Sequence, residues 1–104
     1  MDTFAALADR TRRNIVEALA AGEQGFGDLA DRFEMSRPAV SQHLKVLREA
    51  GLIRVRAEAQ RRIYRLDDDA LGEVERWLDR VRQFWNPRLD ELERVLKKGD
   101  ENNE

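Results

Sequence analysis

Cysteine is absent from this 104-residue chain. Disulfides, thiolate metal sites and thiol nucleophiles are therefore excluded. Histidine occurs once, at His43, so a zinc site built from several imidazole or thiolate ligands has no donors. Long apolar runs are missing too, and no stretch is expected to span a bilayer. The opening MDTFAALADR lacks a basic start followed by an apolar block, which argues against a secretory signal. No sign of charge dominates, since the formal net charge is −2. Together these absences predict a soluble, cytoplasmic protein with no membrane partner. The length predicts one domain with a small core, and small domains often gain stability by pairing.

What is present is unevenly spread. Residues 1–35 carry net −3, residues 36–65 net +6 and residues 66–104 net −5. A basic middle between acidic ends can meet a polyanion even on a weakly acidic chain.

The apolar spacing predicts a short helix over 4–8, with Phe4, Leu7 and Ala8 on one face. Asp9 is suited to cap a second helix over about 10–21, whose buried stripe is Ile15, Val16 and Leu19. Gly22 ends it, and GEQG reads as a turn. A third, short helix is expected over 28–33, with Leu29 and Phe33 at i and i+4. Ser36 caps a fourth, with Pro38 in the first turn, where a missing N–H does no harm. Val40, Leu44 and Leu47 are its core-facing stripe, and Gly51 is its C-terminal cap. Residues 52–56 and 62–66 alternate as strands, with AEAQR at the hairpin tip. From Asp69 the pattern is helical again. Leu71, Leu78, Trp85 and Leu92 recur every seven residues, beside columns of Val74, Val81 and Val95 and of Trp77 and Phe84. Pro87 falls inside this run, where it kinks one long helix or follows Asn86 as the cap of a new one. The tail KKGDENNE, from Lys97, reads as disordered, with the domain boundary drawn so that 98–104 is the disordered tail.

Helix, short helix, tight turn, helix and hairpin is the order of a winged helix-turn-helix. The expected fold is mainly α with a small β-hairpin wing, dimerising through its terminal helices. We draw a single domain over 1–97, with a winged-helix core at 4–66 and a C-terminal helix or kinked helix pair at 69–97. The short helix supports the next and leaves its outer face free for the DNA major groove. On that face Arg37, Ser41, Gln42, Lys45 and Arg48 lie away from Val40, Leu44 and Leu47. Gln pairs bidentately with adenine and Arg with guanine, whereas Ser36, Ser41 and Lys45 suit phosphates. Arg61 and Arg62 at the hairpin tip, with Arg54 and Arg56 nearby, form a second expected contact to a phosphate or a minor groove. The partner is then double-stranded DNA with a pseudo-palindromic operator.

At these residues a family resemblance is clear. LADRTRRNIVEAL at 7–19, SRPAVSQHLKVLREAGLI at 36–53 and RRIYRL at 61–66 together resemble the ArsR-type bacterial repressors. The resemblance covers about residues 4–66 well and the C-terminal helix more loosely. Arg10 departs from it, because the family often has proline after the capping Asp. The resemblance implies a dimeric transcriptional repressor that leaves its operator when an effector is sensed.

Many relatives sense metal through paired cysteines on the third helix, which here reads FGDLADRF and has no thiol. No metal site and no cofactor are expected. Asp67, Asp68, Asp69 and Glu73 are expected to cap and solvate the start of the last helix, where negative charge meets the positive dipole end. The alternative is an oxygen-only site suited to Ca²⁺ or Mg²⁺. His43 is read as a histidine at the edge of the core, hydrogen-bonded to a neighbouring backbone group, with a phosphate contact as the alternative. The wide apolar arc of Leu71, Val74, Trp77, Leu78, Val81, Phe84 and Trp85 predicts a dimer core rather than a ligand cage. Phe4 and Leu7 are expected to meet it across the interface. A rival reading keeps the winged helix but gives its basic face an acidic protein partner. An enzyme is not expected, since no nucleophile–base pair, phosphate loop or metal motif occurs.

Overall fold

The computed structural model describes the backbone of residues 1–102 and the side chains of residues 1–85 and 91–99. The chain divides into two units, Met1–Gly72 and the segment from Glu73 onward. The first contains α1 (Thr3–Ala6), α2 (Arg10–Ala20), β1 (Gln24–Gly25), α3 (Phe26–Ala30), α4 (Arg37–Glu49), β2 (Ile53–Glu58) and β3 (Arg61–Leu66). The second is a single helix, α5 (Gly72–Asn102), which begins at the boundary.

Capping defines the helix starts. Asp2 accepts from the Ala5 N–H at 2.7 Å, Asp9 from the Arg12 N–H at 2.9 Å and Ser36 from the Ala39 N–H at 3.2 Å. Each side chain satisfies a donor that the first helical turn leaves without an intrahelical partner. The end of α4 is equally specific. Gly51 takes φ +80°. Its N–H donates to Arg48 O and the Leu52 N–H donates to Leu47 O, both at 3.0 Å. This pair of bonds is a Schellman motif, which turns the chain sharply into β2.

The helical stripes meet in one core. Ile15, Leu29, Val40, Leu44, Leu47 and Leu52 are its fully buried side chains. Val16, Leu19, Ile53 and Tyr64 extend it, so the sheet packs its inner face on α2 and α4. In α1 the buried residues are Thr3 and Ala6, with Leu7 packed partly against the core. The face drawn through Phe4, Leu7 and Ala8 is thus not the one the core buries: Thr3 and Ala6 are buried while Phe4 is exposed.

The sheet has three strands rather than two, in the order β1-β3-β2 and antiparallel throughout. GEQG, read as a turn, contains β1. Two residues carry no periodicity, and this strand exists because β3 pairs with it at Gln24↔Tyr64 and Gly25↔Ile63. Gln24 Nε2 also donates to Ala18 O at 2.9 Å, which ties β1 to α2. The third helix begins at Phe26 rather than Asp28, directly after this strand. The hairpin closes through Ala59 and Gln60, between the paired residues Glu58 and Arg61.

α5 is one element across residues 86–90, so Asn86 does not open a second helix. The bend considered at Pro87 lies outside the described side chains. The helix continues to Asn102, across much of the stretch expected as a disordered tail; residues 103–104 lie outside the described residues. Along it Phe84 and Trp85 meet edge to face, with ring centroids 5.9 Å apart. No helix among the described residues is long and apolar enough to cross a membrane.

Candidate nucleic-acid interface

α4 buries Val40, Leu44 and Leu47 and leaves Arg37, Ser41, Gln42, Lys45 and Arg48 exposed. The exposed set follows from helical periodicity, since positions offset from the stripe point outward. Ser36 spends its hydroxyl on the cap, and Arg37 lies 3.6 Å from Asp31 in an exposed ion pair. Both sit at the positive end of the α4 dipole, where a phosphate is favoured.

The register of the hairpin decides which wing arginine joins them. Directly paired residues of a sheet share a face. Ile53, Val55 and Ala57 of β2 face the same way as Leu66, Tyr64 and Arg62 of β3. Tyr64 is buried in the core, so this face is turned toward α4. A depression of about 280 Å³ is accordingly lined by Ser41, Gln42, Lys45 and Arg48 of α4 together with Arg62 and Tyr64 of β3. Among the described residues, Lys45, Arg48 and Arg62 form no ion pair.

Arg54, Arg56 and Arg61 do not line this depression, although Arg61 lines a neighbouring one of about 490 Å³ with Ser41, Arg62 and Tyr64. By register all three share the opposite sheet face with Glu58, Ile63 and Arg65. Arg54 Nε donates to Asp67 Oδ2. Arg56 clamps Glu23 with two hydrogen bonds of 2.6 and 2.7 Å and also reaches Glu58 at 3.1 Å. Arg61 lies 3.5 Å from Asp28, and Arg65 3.3 Å from Asp68. The Arg56 hydrogen bonds hold the Glu23 carboxyl below the usual carboxylate range, while partial desolvation opposes them. Arg54 and the Asp69 N–H do the same for Asp67. In the free chain Arg54, Arg56 and Arg61, expected at the DNA contact, are engaged in intramolecular ion pairs. Five of the arginines behind the basic excess of residues 36–65, Arg37 among them, pair with carboxylates outside that segment. For Arg56 and Arg61 sequence windows could not reveal this, because Glu23 and Asp28 are far from their partners in the chain.

Two further expectations change. His43 is half-buried, but its partners are side chains rather than backbone. Its Nδ1 lies 3.5 Å from Arg12 Nη1 and 3.9 Å from Asp9 Oδ2. Arg12 in turn donates from Nε to Ala6 O at 2.6 Å, so it links α1, α2 and α4. The Arg12 N–H is the main cause that keeps Asp9 below its ordinary pKa, ahead of the Arg12 and His43 charges. Asp67 and Asp68 pair with wing arginines instead of capping α5, whose first turn carries Glu73 and Glu75. Among the described residues no group of three or more His, Asp or Glu side chains is arranged to hold a metal ion. With no thiol and one imidazole already engaged, the residues present do not fit the thiolate or imidazole sites of metal-sensing relatives.

Comparison with known proteins agrees with this geometry. The family described as "Bacterial regulatory protein, arsR family" matches residues 9–55, from the α2 cap into β2. The chain is 51% identical over 84 residues to the HTH-type transcriptional regulator Rv2034 of Mycobacterium tuberculosis, covering 81% of this chain and 76% of that one. It is 34% identical over 77 residues to the transcriptional repressor SdpR of Bacillus subtilis, covering 74% and 86%. Among solved structures, a possible transcriptional regulator for arsenical resistance superposes with a TM-score of 0.72 at 42% identity, covering 88% of this chain and 93% of that one.

Proposed function

The chain belongs to the arsR family of bacterial regulatory proteins, and from that premise we propose that it is a cytoplasmic, homodimeric repressor that reads a pseudo-palindromic operator through α4. It is a transcriptional regulator rather than an enzyme. The observation that carries the reading is the shared depression of α4 and β3, where Ser41, Gln42, Lys45 and Arg48 converge with Arg62. Polar and cationic groups converge there, and their cations lack partners among the described residues. That is the composition a major groove and its flanking phosphates require. In this reading Gln42 and Arg37 address base edges, Ser41, Lys45 and Arg48 address phosphates or bases, and Arg62 grips the backbone from the wing. Ser36 contributes mainly by holding the helix start.

Dimerisation follows from how few contacts one half-site supplies, and from the apolar surface of α5. Leu92, Val95 and Leu96 are more than half exposed in the single chain. Two copies would set their recognition helices about one DNA turn apart, roughly 34–36 Å. With no thiol and a single imidazole, the regulator would respond to something other than a metal bound through such ligands.

Selection of bound duplexes from a random DNA pool tests the reading. The expected product is an inverted repeat with half-sites about one turn apart. Its affinity should fall steeply with salt, and the log–log slope should drop by about 0.9 for each phosphate contact removed. Gln42→Ala should relax sequence preference, whereas Arg62→Ala should weaken specific and random duplexes alike. Weak, uniform binding with no recovered sequence would overturn the proposal in favour of an acidic protein partner for the same face.

A further inference from the structure

The back of the wing carries Arg54, Arg56, Glu58, Arg61 and Arg65. β1 pairs with β3 only at Tyr64 and Ile63. The outer rungs, Ala57↔Arg62 and Glu58↔Arg61, therefore have a sheet neighbour on one side only. A two-stranded ribbon of this kind is marginal by itself and free to twist. On the α4 side it carries Arg62. On the far side it is tied to the body at two points. Arg56 is clamped by both carboxylate oxygens of Glu23, in the turn between α2 and β1. Arg61 reaches Asp28 of α3, and its guanidinium lies over Gly25, where a Cβ would come within 2.7 Å of Nη2. Glycine at 25 thus leaves a seat for the Arg61 head group.

We propose that Glu23 and Asp28 are positioning residues for DNA binding, bracing the wing from behind through Arg56 and Arg61 so that Arg62 stands over α4. The inference rests on the DNA-reading function proposed above. Its sign is opposite to simple electrostatics. Removing a carboxylate from a protein that binds a polyanion should strengthen binding through the long-range field. Removing a brace should weaken it, because Arg62 is then less often in place.

The test is fluorescence anisotropy of the full-length chain, with the labelled operator duplex recovered by selection and a random duplex of equal length as probes. Glu23→Ala with Asp28→Ala should bind the operator about fivefold more weakly, the scale set by losing exposed ion pairs. In an Arg62→Ala background the same pair of changes should no longer weaken binding, leaving it unchanged or slightly tighter, because the brace acts through Arg62 and only the field effect remains. A general loss of stability would persist in that background, so such persistence would overturn the proposal. The charge swap Glu23→Arg with Arg56→Glu should restore binding to within about twofold of wild type. It also serves as the independent variant if the alanine pair folds poorly. Unchanged or tighter binding by the alanine pair sinks the brace. So does collapse of the swap, which would mean that Arg56 touches DNA itself; in both cases Lys45→Ala and Arg62→Ala would still weaken binding and the DNA-reading function would stand. If wild type itself fails to distinguish operator from random duplex, both readings fall together.

Discussion

Single residues control the turns that aim the recognition helix. Gly51 takes a positive φ, and the space where a Cβ would stand is open. Substitution there is costly only through backbone strain. Gly51→Ala should therefore lower stability by about 1 kcal/mol without disturbing packing, as read by thermal or urea denaturation. An unchanged midpoint would show that the Schellman turn relaxes freely. This glycine was legible in the sequence because it follows an amphipathic run. His43 was legible only in part. Its half-buried place beside Leu44 follows from periodicity, but its partners Arg12 and Asp9 lie on another helix that no spacing connects to it.

Among the elements, the hairpin is the most revealing. Its alternation announced two strands, and its register then separated Arg62 from Arg54, Arg56 and Arg61. At its tip Ala59 holds φ 56°, a left-handed conformation that disfavours residues with a Cβ. Ala59→Gly should stabilise the protein by roughly 0.5–1 kcal/mol, seen as a raised melting temperature. A lower melting temperature would mean that chain entropy outweighs the relief of strain. β1 shows the opposite case. Two residues cannot declare a strand, and Gln24 and Gly25 become one only because β3 offers them hydrogen bonds. In α5 the seven-residue recurrence of Leu71, Leu78, Trp85 and Leu92 was plain, and the helix is continuous across the proline.

The whole molecule responds to pH through its tethered carboxylates. Asp9, Glu23 and Asp67 all titrate below their ordinary values in the folded chain. A depressed carboxyl pKa stabilises the fold above the unfolded value and loses that contribution as pH falls through the folded one. Melting temperature should thus stay level from pH 7 to about 5 and fall as the solution drops below about pH 4. Asp9→Asn, which keeps a capping oxygen, should flatten part of that acid slope. A slope identical to wild type would remove Asp9 from the account. The proposed homodimer is the second property at this scale. Leu92→Arg with Val95→Arg alters side chains already exposed in one chain. It should shift sedimentation to monomer and weaken operator binding while leaving the melting of secondary structure largely intact. Retention of the dimer mass would place the interface elsewhere.

By itself the sequence determined what depends on neighbours along the chain. Caps at Asp9 and Ser36, the stripe of Val40, Leu44 and Leu47, the glycine after α4 and the alternating wing are all local, set by helical and strand periods. These suffice for the winged-helix order and for the outward set Ser41, Gln42, Lys45 and Arg48. Tertiary structure alone decided which charges are available. Arg54, Arg56 and Arg61 look like Arg62 in the sequence, yet three meet carboxylates brought from distant segments and one stands over α4. The physical reason is that electrostatic pairing acts through space, over a few ångströms, whereas the sequence records only distance along the chain.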